Sequence, residues 1–189
     1  MTIVLIDNRT RNENNLEKAS MTTKLILFLK SKYNITVVST VNEIKNIQLK
    51  NVKCIILSGS SLCCTNPSHI PNMRTSIIAI SFALKNNIPL LGICFGMQLI
   101  TWMMGGDVGC SQSTTSYYLK INHIGLVYFN HRDAVIIPPP GFIVTHNHNH
   151  YITTMHSKAN NIICIQWHPE GTCDGQLWLE KTIYLLVAS

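Results

Sequence analysis

In the first half of the chain, short runs of contiguous apolar residues alternate with longer stretches whose apolar positions recur every three or four residues. TIVLID (2–7), ITVVS (35–39), CIILSG (54–59) and IPLLGIC (88–94) are β-rich runs ending at polar or glycine positions, the pattern of strands buried on both faces. Between them, Met21, Leu25, Phe28 and Leu29 repeat at helical spacing within 18–33, and 73–87 suits a second helix. Cys94 to Met104 reads as a helix that is apolar all round, terminated by Gly105-Gly106. Strands alternating with helices imply βαβ units and a parallel sheet.

The second half changes character. Residues 117–128, 142–145, 150–155 and 161–167 read as successive strands, with PPPG (138–141) as a rigid turn. A last helix is predicted over 175–186, with Asp174 as its N-cap. The sum is a three-layer α/β fold: an open, mostly parallel sheet with helices on both faces and an added antiparallel portion. With no internal repeat or low-complexity linker, residues 1–189 are expected to form a single domain.

Composition narrows the partners. A hydrophobic fraction of 46% with 13% charged residues describes a packed globular chain, not a disordered one. No uninterrupted apolar stretch is long enough for a membrane span, and MTIVLIDNRT lacks the features of a secretion signal. The seven cysteines are irregularly spaced and several lie inside apolar runs, so a reducing cytoplasm fits better than a disulfide scaffold. The net charge of +6 is scattered, without a basic stripe or a reader motif, which argues against nucleic acid and favours an acidic protein partner.

Candidate chemistry is concentrated in PLLGICFGMQLITWMMGG (89–106). Gly92 and Gly96 flank Cys94 at the spacing of a nucleophile elbow, placed between an apolar strand and a helix. Such a turn lifts the thiol to the carboxyl edge of the sheet, above a helix N-terminus that favours negative charge, and lets the Phe95 N–H donate to an oxyanion. A cysteine nucleophile needs a base, and the base an orienter. Further on, ICIQWHPE (163–170) ends a strand with His168, Pro169 and Glu170. Two residues apart on extended backbone, His168 and Glu170 point the same way, so the carboxylate can grip one imidazole nitrogen.

Together these segments resemble the class I (triad) glutamine amidotransferases. The family's G-x-C-x-G-x-Q is matched by Gly92, Cys94, Gly96 and Gln98, and its H-P-E by His168, Pro169 and Glu170. The resemblance implies a flavodoxin-like sheet, a γ-glutamyl thioester on Cys94, proton transfer by His168, orientation by Glu170 and glutamine binding by Gln98. It further implies an oxyanion loop at Ser58-Gly59-Ser60-Ser61, with Gly59 and Ser60 at the substrate and Ser60 where the family commonly has Gly. FNHRDAV (129–135) is similar to the segment that grips the amino-acid end of glutamine, which places Asn130, His131 and Arg132 at the substrate. Its H-x-D most resembles the amidotransferase part of GMP synthetases, where the aspartate, here Asp133, contributes to contact with the synthetase part. By that resemblance the stretch from Gly106 to Phe129 is short by one hairpin.

Other features carry less. His146, His148 and His150 alternate, as ligands on one strand face could, but no nearby acid or cysteine completes a metal set. Cys63-Cys64 lack C-x-x-C spacing and read as loop or packing residues; Trp102, Met103 and Met104 read as core behind the elbow. Without a phosphate-binding G-x-x-x-x-G-K-[ST] loop the chain has no visible means of using ATP, and no cofactor is expected. The expected function is a glutaminase subunit handing ammonia to a separate ATP-using synthetase. A γ-glutamyl hydrolase and a non-catalytic interaction protein on the same fold are the alternatives.

Overall fold

The computed structural model describes residues 2–9, 16–47 and 51–188. Among them, nine strands form one sheet in the order β2-β1-β3-β4-β9-β8-β6-β5, with β7 added beside β8. The parallel part comprises β1 (Thr2–Ile6), β2 (Ile35–Val38), β3 (Val52–Leu57), β4 (Leu90–Ile93) and β9 (Ile162–Ile165). The antiparallel part comprises β5 (Asp107–Ile121), β6 (Gly125–Ile137), β7 (Ile143–His148) and β8 (Tyr151–Ser157). The helices are α1 (Leu16–Lys32), α2 (Val41–Lys45), α3 (Ile70–Asn86), α4 (Phe95–Met103) and α5 (Cys173–Ala188).

Strand alternation builds the three layers. Val4, Ile6, Ile55 and Leu57 face a core completed by Ile44 of α2, Ile80 and Ala83 of α3 and Leu99 and Ile100 of α4. Ile3, Leu5, Cys54 and Ile56 face the opposite core, closed by Leu25 and Leu29 of α1 and Leu179 and Ile183 of α5. Burial on both faces is why these strands read as continuous apolar runs.

Several expectations are corrected. Residues 117–128 are not one strand: β5 ends at Ile121 and β6 starts at Gly125, with His123 (φ 66°) and Gly125 (φ 109°) making the turn. The stretch after Gly106 is thus one long hairpin whose pairing runs from Asp107↔Ile137 to Ile121↔Gly125. Asp174 is not the N-cap of α5. It lies in the first turn and accepts from the Leu126 N–H at 2.7 Å, while the Thr172 hydroxyl accepts from Gly175 N–H at 3.0 Å. Trp102 is 40% exposed rather than core, whereas Met103 and Met104 do pack against the buried cluster. α2 has no counterpart in the apolar pattern. Thr40 and Glu43 form its capping box, Glu43 N–H donating to Thr40 Oγ1 at 3.3 Å and Thr40 N–H to the Glu43 carboxylate at 3.0 Å.

Candidate active site

β4 delivers Cys94 to the carboxyl edge of the sheet, and α4 starts at the next residue. Cys94 takes φ 52° and ψ −107°, a conformation that L side chains rarely adopt and that the surrounding structure must enforce. The enforcement is visible at Gly96, where a Cβ would stand 2.5 Å from the Leu57 carbonyl oxygen, so only glycine lets α4 rest on β3. Cys94 N–H donates to Ile165 O at 2.7 Å and Gln98 N–H to Cys94 O at 3.1 Å, tying the elbow to β9 and to its own helix.

β9 carries the second half of the site to the same edge. His168 N–H donates to Tyr128 O at 2.7 Å, which fixes the backbone just beyond the strand. One side of the imidazole faces the Cys94 side chain beside Gly59. On the other, Nδ1 meets Glu170 Oε1 at 2.9 Å. His168 and Glu170 are 5% and 3% exposed, so the pair works with little solvent screening. Burial disfavours the imidazolium, but the facing Glu170 carboxylate and Cys94 sulfur outweigh it and raise the His168 pKa well above the ordinary histidine range.

Gly59, just beyond β3, completes the enclosure, because a Cβ there would stand 2.8 Å from His168 Cε1 and 3.6 Å from Cys94 Cβ. The loop behind it is stitched by polar contacts. Ser60 Oγ donates to Asn8 O at 2.7 Å, and Asn8 Nδ2 donates to Ser58 O at 2.8 Å. A cleft of about 230 Å³ opens beside the sulfur, lined by Ser60, Ser61, Leu62, Cys94, Gln98, Thr114, His131, Arg132 and Asp133.

Of the residues singled out in the sequence, Cys94, Ser60, Gln98, His131, Arg132 and Asp133 share this cleft. Phe95 is fully buried at the start of α4, and Asn130 presents its carbonyl oxygen 3.8 Å from the Cys94 sulfur. The Gln98 side chain donates to Asp133 O at 2.6 Å. Arg132 pairs with the Asp133 carboxylate through two bonds of 2.9 and 3.1 Å, so Asp133 is 3% exposed while Arg132 reaches the surface. His131 is buried against Tyr117, Phe129 and Tyr151 at ring-centroid distances of 6.3, 5.9 and 5.3 Å. Neither of its ring nitrogens meets a hydrogen-bond partner of good geometry, and burial pushes its pKa down to about 4. His146, His148 and His150 do not assemble a site: His146 and His148 are on β7, His146 bonding Thr153, and His150 lies in the following turn.

Gln166 went unnoticed in the sequence. It is fully buried, with Nε2 3.6 Å from the Cys94 sulfur and Oε1 3.3 Å from Gln98 Nε2. The available signal was alternation, since on extended backbone position 166 shares a face with 168.

Fold and site together define an α/β protein with a cysteine elbow facing a histidine–carboxylate pair. The family profile of glutamine amidotransferase class-I matches residues 4–181, and the chain belongs to that family. It is 35% identical to the GMP synthase (glutamine-hydrolyzing) of Petrotoga mobilis, over 66% of this chain and 26% of that protein. It is 32% identical to one subunit of the GMP synthase (glutamine-hydrolyzing) of Sulfurisphaera tokodaii, over 65% of this chain and 69% of the relative. The chain thus spans about a quarter of the first relative and about two thirds of the second. A glutamine amidotransferase of Thermotoga maritima superposes with a TM-score of 0.69 at 17% identity, covering 100% of this chain and 89% of that one, and shares the fold.

Proposed function

We propose that residues 1–189 form one amidotransferase domain that hydrolyses glutamine to glutamate and ammonia, with Cys94 as nucleophile, His168 as proton carrier and Glu170 as its orienter. The observation that carries the reading is the buried His168, bonded to Glu170 at 2.9 Å and packed beside the Cys94 side chain at Gly59.

In this mechanism His168 takes the thiol proton as sulfur attacks the side-chain amide carbon, and the oxygen becomes an oxyanion held by the N–H groups of Phe95 and the Gly59-Ser60 loop. Collapse breaks the C–N bond, His168 returns the proton to the leaving nitrogen, and ammonia departs from a γ-glutamyl thioester. Water, deprotonated by His168, attacks the thioester and releases glutamate and the thiol. The cleft beside Cys94 accommodates the amino-acid end of glutamine, with Gln98, Asn130, His131 and Arg132 around it.

The ammonia passes to a separate ATP-using synthetase, one making GMP. Relatives such as the Sulfurisphaera tokodaii protein, named as one subunit of a glutamine-hydrolyzing GMP synthase, support that acceptor. The test is ammonia release from glutamine by the chain alone and with a synthetase chain lacking its own amidotransferase. Turnover that Cys94→Ala abolishes is expected. Turnover surviving Cys94→Ala overturns the assignment, and turnover of γ-glutamyl peptides with none of glutamine moves the chain to the hydrolase alternative.

A further inference from the structure

Beside the glutamine cleft, but outside the proposed chemistry, the loop after β3 brings Cys63 against the β5–β6 hairpin. The Cys63 sulfur lies 3.6 Å from the Cys110 sulfur, which lies 3.0 Å from a carboxylate oxygen of Asp133. All three ligand atoms fall within 4.8 Å of one another. Cys54 and Cys164 fill fully buried core positions, whereas these two thiols converge on a carboxylate at the protein surface. Cys63 and Asp133 are held in place, 4% and 3% exposed, and Cys110 is open to solvent, which provides a route of entry.

We propose that Cys63, Cys110 and Asp133 bind a thiophilic divalent cation of the zinc class. A tetrahedral ion with bonds of about 2.3 Å to sulfur sets its two sulfur ligands about 3.8 Å apart, close to the separation found here. Two sulfurs and one carboxylate select borderline and soft ions over magnesium or calcium, which require oxygen donors. A divalent ion on two thiolates and a carboxylate leaves one net negative charge, and the Arg132 guanidinium, already paired with Asp133, balances it. A tetrahedral ion held by these three ligands has a fourth position, which water can fill. Because Asp133 O accepts from the Gln98 amide and Asp133 lines the cleft, occupancy is coupled to the glutamine pocket. An effect on glutamine turnover rests on the function proposed above; binding of the ion does not.

The test is titration of the full chain, metal-stripped and kept reduced with a phosphine, with Co²⁺ followed by Zn²⁺. The expected result is one equivalent of Co²⁺ bound with a sulfur-to-cobalt charge-transfer band that Zn²⁺ displaces. Cys63→Ser and Cys110→Ser should each weaken binding at least tenfold, while Cys94→Ser and Cys173→Ser leave it unchanged. Circular dichroism and Tm establish that each variant is folded, and Asp133→Asn gives a further weakened variant that keeps both thiols. The absence of a charge-transfer band in the unmodified chain overturns the proposal. So does a band that survives both Cys63→Ser and Cys110→Ser, or one lost in Cys94→Ser instead.

Discussion

At the scale of single residues, two histidines a short distance apart are pushed in opposite directions. His168 is raised because Glu170 and Cys94 face it despite its burial. With Glu170→Gln the raising partner is lost, so the imidazolium gives up its proton at lower pH. The acidic limb of kcat/KM for glutamine, below which a protonated His168 cannot take the thiol proton, should therefore move to lower pH and kcat should fall, on the order of 10²-fold for an impaired proton carrier. A pH–rate profile of the two proteins checks this, and superposable profiles would remove Glu170 from the mechanism. His131 is the reverse case. Its pKa falls from 6.5 to about 4 on burial, so the unfolded chain binds the extra proton in that window. Stability is fully present above about pH 6.5 and is lost as pH drops toward 4, by about 3 kcal/mol at most. His131→Phe keeps an aromatic ring among Tyr117, Phe129 and Tyr151 and removes the titration. The stability gap between this variant and the parent in urea unfolding should consequently widen as pH falls from 7 to 4.

At the scale of elements, the elbow depends on α4 lying directly on β3. Gly96→Ala places a methyl 2.5 Å from Leu57 O and 2.6 Å from Leu57 Cβ, so backbone must move. Overpacking of this kind costs about 1–3 kcal/mol, and it should also displace the thiol, lowering glutamine turnover more than it lowers Tm. The start of α5 gives a milder case. The Thr172 hydroxyl accepts from Gly175 N–H and donates to Leu126 O, so Thr172→Val should cost about 1 kcal/mol in thermal unfolding with turnover little changed. These elements differ in how far the sequence revealed them. β1, β3 and β4 were legible because burial on both faces makes them uninterrupted apolar runs. Of the antiparallel strands, β8 was legible over 150–155, whereas β7 was read only over 142–145, because it alternates between exposed and half-buried positions and is polar from Thr145 onward. Merging β5 with β6 overlooked Gly125, the one local sign of the turn. α2 was announced only by its Thr40–Glu43 capping box, since a five-residue helix is too short to show a period. The site was more legible than the sheet, because the Cys94 elbow and the His168–Glu170 pair are local patterns. Cys63, Cys110 and Asp133 could not be grouped in advance, as they meet only through the pairing of β5 with β6 and the path of the loop after β3.

At the scale of the whole molecule, the site is assembled from both parts of the sheet. β3, β4 and β9 bring Gly59, Cys94 and His168 to one edge, and β6 of the antiparallel part adds Asn130, His131, Arg132 and Asp133. Residues 1–189 contain no G-x-x-x-x-G-K-[ST] loop and cover 26% of the Petrotoga mobilis GMP synthase (glutamine-hydrolyzing). In the reading proposed above, the nucleotide chemistry is carried by a separate ATP-using synthetase. The chain's net charge of +6 would attract an acidic partner surface at long range, and such attraction acts mainly on the rate of encounter. Screening shortens its range to about 10 Å at 0.1 M salt and to about 3 Å at 1 M. Association with a cognate ATP-using chain should therefore slow as salt is raised, with dissociation far less affected. Glutamine-dependent amination should fall in parallel, while amination driven by added ammonia should hold, because free ammonia bypasses the glutaminase chain. Surface-binding kinetics across a salt series, run beside the two amination assays, separate these outcomes. Equal salt sensitivity of the glutamine- and ammonia-driven reactions would mean that salt acts on the synthetase itself, and that the positive charge of this chain plays no part in bringing the two together.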